Sequence, residues 1–169
     1  MTIPPPPAGW TRFLVKSKFA AGRDFAVLDP ATEQQRFFID GKIGPRPKAE
    51  VLDADNQAIY HVTGKLLGIP KHMSITDPSG TEVATLKAKA FSPIKATMTL
   101  ELPDDANWTL EGSFIEKNYS IAADGKPVVE ITQKWVTIRD TYTVDVADGA
   151  DPGFALAVMW AVDRWVERD

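Results

Sequence analysis

The sequence predicts a mainly β protein, a twelve-stranded antiparallel β-barrel enclosing a hydrophobic C-terminal α-helix. Three observations lead there. From Arg12 to Val146, short β-branched or aromatic runs alternate with turn signals at the spacing of an up-and-down β protein. The connections are brief and rich in Asp, Pro and Gly, so consecutive strands should pair antiparallel. The last segment is an apolar run with no wet face, which demands surroundings that only other parts of the chain or a lipid bilayer supply.

In chain order, residues 1–10 form a Pro-rich flexible leader, and residues 11–169 form one domain. Pro4 to Pro7 favour polyproline II, a conformation without internal hydrogen bonds. Two readings stand beside each other for this leader, a disordered tail and a docking motif for a partner's groove. The strands expected next run from Arg12 to Lys16, Asp24 to Leu28, Arg36 to Ile39, Lys48 to Leu52, Ala58 to Thr63 and His72 to Thr76. Six more follow, at Glu82 to Ala88, Ile94 to Leu100, Trp108 to Glu111, Asn118 to Ala122, Val128 to Trp135 and Thr141 to Val146. Asp29-Pro30, Asp40-Gly41, Asp53-Ala54-Asp55-Asn56, Asp77-Pro78-Ser79-Gly80 and Asp124-Gly125 supply the backbone angles that turns require. Asp151 then suits an N-cap and Pro152 a first helical position. Phe154 to Val162 is apolar all round, and it is about half the roughly twenty residues a membrane span needs. Burial inside the barrel follows, and twelve strands close widely enough to hold one helix. Asp163 ends the run; it is expected at the opposite barrel mouth, either bonded to a strand backbone or basic side chain, or lining a ligand vestibule. Trp160 reads as a core aromatic and Trp165 as a rim aromatic.

Composition bounds the function. The chain has 169 residues, enough to bury the core of one domain. Nineteen basic and twenty-three acidic residues give a net charge of −4, which argues against a nucleic-acid binder. The absence of cysteine removes disulfides, thiolate metal sites and cysteine nucleophiles. The N-terminal residues lack the basic start, apolar stretch and cleavage site of a secretory signal. A cytoplasmic protein is expected, with no transmembrane span and at most a peripheral attachment to membranes.

Several segments resemble one family. They are Lys18-Phe19-Ala20-Ala21-Gly22-Arg23-Asp24-Phe25 with Val27-Leu28-Asp29, then Val128-Val129-Glu130-Ile131-Thr132-Gln133-Lys134-Trp135. Asp140-Thr141-Tyr142-Thr143-Val144 follows, and last Asp151 with the Ala-rich helix through Val162-Asp163. In order and spacing they resemble the LURP-one-related family, whose fold is similar to the tubby C-terminal domain and the phospholipid scramblases. The resemblance implies a twelve-stranded barrel threaded by the C-terminal helix. It implies no settled biochemical activity; tubby relatives bind phosphoinositide headgroups and scramblases are linked to lipid movement. The chain lacks the scramblases' cysteine-rich palmitoylation segment and their long Pro-rich leader. No residue matches the tubby phosphoinositide pocket position by position, so the resemblance assigns no site residue.

Catalytic motifs are not found. His61 and His72 stand on expected strands without the spacing that puts two metal ligands on one helix face. Asp53-Ala54-Asp55-Asn56-Gln57 opens like a calcium loop, but Ala58 stands where glycine is required and Gly64 where the bidentate glutamate belongs. Gly41-Lys42-Ile43-Gly44 has the glycine spacing of a KH loop but follows a strand, and reads as a hairpin connection. Asp104 and Asp105 beside Pro103 read as a solvated turn. No catalytic residue, metal site or cofactor is expected, and the chain reads as a binding module. Basic residues free of acidic neighbours mark where a phosphate-bearing headgroup would sit: Lys42, Arg46 and Lys48 around Pro45 and Pro47, and Lys87 and Lys89 on one strand face close to Lys95. The plainer reading of both clusters is solvated surface lysine. The alternative partner is another protein, recognised through loops without any lipid.

Overall fold

The computed structural model describes residues 3–18, 24–42, 44–64, 72–88, 96–104, 106–136 and 141–166. Twelve strands precede one helix. They are β1 (Trp10–Ser17), β2 (Phe25–Leu28), β3 (Gln35–Lys42), β4 (Lys48–Leu52), β5 (Ala58–Gly64) and β6 (His72–Thr76). The second half comprises β7 (Glu82–Ala88), β8 (Ala96–Glu101), β9 (Asn107–Ser113), β10 (Asn118–Ala123), β11 (Lys126–Thr132) and β12 (Thr141–Ala147), followed by α1 (Pro152–Val166). Each strand pairs with its neighbours in sequence, and β1 pairs antiparallel with β12 from Trp10↔Ala147 to Lys16↔Thr141, which closes the barrel. Closure leaves no strand edge open to pair with another chain.

The alternation of side chains builds the core. Phe13 and Val15 of β1, Val51 of β4, Ile75 of β6, Leu86 of β7, Leu110 of β9 and Val144 of β12 point inward and are buried. Register shifts at Val27/Leu28, Val51/Leu52, Ile75/Thr76 and Ile121/Ala122 mark bulges. Bulges raise local twist, which helps a sheet curl to closure.

Helix α1 fills the barrel: twelve of its fifteen residues are buried, from Gly153 to Asp163 and at Trp165. Asp151 caps it, its Oδ1 accepting the Gly153 amide at 3.0 Å. The same carboxylate accepts the Tyr60 hydroxyl, so the start of the helix is tied to β5. Phe154 meets Tyr60 and Trp108 edge-on, with ring centroids 5.8 and 5.3 Å apart. Gly153 has a packing reason, because a Cβ there would stand 2.5 Å from the Ile59 Cδ1. About 16 Å of helix carries Asp163 to the other mouth, where it is 3% exposed and accepts bonds from the Lys117 amine and, at 2.9 Å, from the Tyr142 hydroxyl.

The Asp-rich turns form through one device. Asp53 Oδ1 accepts the amides of Asp55 and Gln57, both at 2.9 Å, and Asp77 Oδ1 accepts those of Ser79 at 2.9 Å and Thr81 at 3.0 Å. Three sequence expectations need correction. Asp40-Gly41 forms no turn, because β3 continues through it to Lys42, with Asp40 paired to Glu50 and Gly41 to Ala49 on β4. Strand β11 ends at Thr132 and not at Trp135, because the Thr132 hydroxyl accepts the Lys134 amide and the Val136 amide bonds back to the Gln133 carbonyl, turning the chain. Trp165 is buried at 6% exposure, so it belongs to the core. Residues 19–23, Ile43, Lys89, Ile94, Lys95, Asp105 and Asp140, which the sequence reading used, lie outside the described residues.

Candidate functional site

With the helix inside the barrel, recognition falls to the outer wall. An open groove of about 460 Å³ lies across β4, β5 and the β6–β7 turn, with Lys42, Lys48, Glu50, His61, Thr63 and Asp77 among its walls. Register assembles it. Lys42 is the partner of Lys48 across β3–β4, Lys48 of Thr63 and Glu50 of His61 across β4–β5, and His61 of Thr76 across β5–β6. Two lysines thus share one rim, with Arg46 exposed in the connection between them.

The charges are not equally available. The Lys42 amine bonds to Asp40 at 2.6 Å, which raises its pKa and holds its proton firmly. Arg46 and Lys48 have no ion-pair partner among the described residues. Glu50 faces His61, whose Nδ1 lies 3.9 Å from its carboxylate. Asp77 is occupied with its own turn; the Ser79 hydroxyl, and then the Thr81, Ser79 and Gly80 amides, lower its pKa. The groove wall therefore presents one uncommitted cation, Lys48, beside Lys42, facing Glu50 and Asp77, with Arg46 exposed in the adjoining connection.

The second basic cluster does not join the first. Lys87 pairs with Glu101 at 2.9 Å on the outer face of β7 and β8. It is three strands from Lys48, on the order of 14 Å around the wall. Among the described residues, no three His, Cys, Asp or Glu side chains converge as a metal site.

A third site was not legible in the sequence. On the outside of β1 and β12, Arg12 and Asp145 face each other in register and form a two-pronged ion pair, Nε to Oδ1 at 2.7 Å and Nη2 to Oδ2 at 2.8 Å. Both side chains are almost fully enclosed, at 6% and 7% exposure, although they point away from the core. The leader lies over them: Arg12 Nη1 donates to the Pro4 carbonyl at 2.5 Å and the Pro5 carbonyl at 3.4 Å. The Trp135 ring stands 5.5 Å from the guanidinium carbon, with the Lys134 amine 4.3 Å from the same ring. Leu14 and Thr143, also outward, are buried in the same sector.

A family model of LURP-one-related proteins matches residues 11–163. The chain belongs to the LURP-one-related family. Among solved structures, this LURP-one-related barrel is similar to the X-ray structure of a protein from Arabidopsis thaliana, with a TM-score of 0.67 and 14% identity over 92% of each chain. A likeness at that identity concerns the fold alone. No curated protein matches the chain. No described helix is long and apolar enough to cross a membrane.

Proposed function

We propose that this LURP-one-related protein is a non-enzymatic binding module that takes a phosphate-bearing lipid headgroup, of the phospholipid or phosphoinositide type, in the groove beside Lys42 and Lys48. The observation that carries the reading is the pairing of Lys42 with Lys48 at one groove rim, joined by a short connection in which Arg46 is exposed. Arg46 and Lys48 are free to make charge-assisted bonds to phosphate oxygens, and the Thr63 side chain adds a hydroxyl. Lys87, held by Glu101, serves as the internal control. Lys89 and Lys95 remain part of the proposal only as a second, separate basic patch.

Vesicles of phosphatidylcholine with and without phosphoinositide test it. The protein should sediment with the anionic vesicles at low salt and be released as salt rises. R46A/K48A should lose most of this binding, and K87A should keep it. Absence of binding at low salt, or equal loss in K87A, refutes the reading.

A second reading is a protein-interaction or regulatory scaffold with no lipid ligand. It is supported by Ile115, a large apolar residue 74% exposed at the β9–β10 turn of a barrel that has no free edge. A pull-down from lysate with and without liposomes separates the two, since only the lipid reading requires the vesicles.

A further inference from the structure

The covered face of β1 and β12 has the components of a polyproline-II recognition site, and it lies apart from the lysine groove. Polyproline II leaves every carbonyl without an internal partner, and proline has no amide hydrogen to satisfy, so a receptor needs donors and a flat apolar wall. Arg12 supplies the donors. Its guanidinium is fixed by both oxygens of Asp145, and its remaining edge delivers Nη1 to two successive carbonyls, those of Pro4 and Pro5. Trp135, its ring 5.5 Å from that guanidinium, stands where such a wall is needed. With three residues per turn, Ile3 and Pro6 fall on one edge of such a ligand, and both are partly buried, as is Pro4, whereas Pro5 and Pro7 are exposed.

At its downstream end the leader is tied to the barrel through backbone bonds. The Trp10 amide bonds to the Pro7 carbonyl at 3.1 Å and the Asp148 amide to the Gly9 carbonyl at 2.8 Å, while Gly9 takes a φ of 81°. Beyond that hinge, among the described residues, the hydrogen bonds holding residues 3–6 to the barrel come from one guanidinium. A contact held through one guanidinium is one that a competing segment can take over.

We infer that the outer face of β1–β12, built from Arg12, Asp145 and Trp135, is a polyproline-II binding site which the chain's own Pro4–Pro7 occupies in cis, and that its partner is a proline-rich peptide segment. The leader acts as an intramolecular competitor. A short tether gives it an effective concentration on the order of millimolar, so a partner must exceed that or arrive when the leader is held elsewhere.

The test uses the full chain and a fluorescent peptide containing Ile-Pro-Pro-Pro-Pro-Ala, read by anisotropy. Replacing Pro4, Pro5, Pro6 and Pro7 together by glycine keeps the tether but removes the preordered ligand. That variant should bind the peptide at least tenfold more tightly than the unsubstituted chain. Adding W135A should reverse the gain, and a peptide with glycine in place of proline should bind neither form. In the glycine variant, saturating proline peptide should shift the indole N–H resonance of Trp135 and the Nε–H resonance of Arg12 while leaving that of Trp160, in the barrel core, unmoved. Equal affinity of the glycine variant and the unsubstituted chain, with near-UV circular dichroism confirming the fold, overturns the inference. So does the absence of any resonance shift at saturating peptide.

Discussion

Replacing Arg12 by methionine isolates the energetics of the outer ion pair. Methionine keeps much of the aliphatic stem and removes the guanidinium, leaving the Asp145 carboxylate enclosed at 7% exposure. The arginine supplies the two hydrogen bonds that the structure gives that carboxylate, and Glu130 stands beside Asp145 in register on β11. Removing one member of a buried pair costs about 3–5 kcal/mol, because the other charge is stranded. The leader tempers this, since losing its anchor at Pro4 lets it lift and admit water, which places the cost at about 3 kcal/mol. For a chain of this length each kcal/mol moves the melting temperature by roughly 2–4 °C, so R12M should melt about 6–12 °C lower. Urea denaturation should give the same loss as a lower midpoint with an unchanged slope. R12M/D145L, which removes both charges, should recover to within about 1 kcal/mol of the original or exceed it. A loss below about 1 kcal/mol in R12M, or a double variant as unstable as the single, would refute the account of a stranded charge.

Three further outcomes follow from other parts of the molecule. Leu156 is fully buried on the helix, so L156A should cost about 2–5 kcal/mol by lost burial and a residual cavity, measured by chemical denaturation. G112A should be more damaging than its size suggests: Gly112 has a φ of 137°, and a Cβ would stand 2.6 Å from the Asn118 carbonyl oxygen and 2.7 Å from the Tyr119 Cα. Because those are backbone atoms of β10 that cannot rotate aside, we expect more than about 2 kcal/mol or loss of soluble protein, whereas G125A, with open space at its Cβ, should be the milder. Burial and the bond to Asp151 raise the phenol of Tyr60, and burial with the nearby Asp163 charge raises that of Tyr119. A raised folded-state pKa stabilises the fold fully below the unfolded value near ~10 and loses that contribution as pH climbs through the folded value. Absorbance at 295 nm should therefore show at most one of the three tyrosines ionising before alkaline unfolding, and free titration of two or more contradicts the packing.

The fold was readable because its determinants are local. Alternation in runs such as Lys48–Leu52, aspartates that fold back on their own turns at Asp53 and Asp77, and a helix greasy on every side each speak from a few consecutive residues. The pairing of Lys42 with Lys48 was within reach for the same reason, since a short Pro-containing hairpin joins them. Features that need long-range register were not readable. Arg12 and Asp145 are 133 residues apart on outward positions, where alternation assigns both to solvent. The leader folding back, with Trp135 beside it, makes a third layer there and takes them out of water. The pairing of Lys87 with Glu101 likewise depends on β7 and β8 lying side by side. Trp135 looked like the end of a strand because its neighbours are β-formers, yet the Thr132 hydroxyl ends the ladder three residues earlier and frees the indole to meet Arg12.

The seam between β1 and β12 has a consequence for how the protein is made. The strand at Trp10–Ser17 must wait for Thr141–Ala147 to leave the ribosome, and the segment that fills the interior comes later still. Until then, the nascent sheet carries an uncovered apolar concave face and two raw margins, the state in which β chains adhere to one another. Closure of this barrel is thus the last step its chain order allows, and non-local pairing of that kind slows folding.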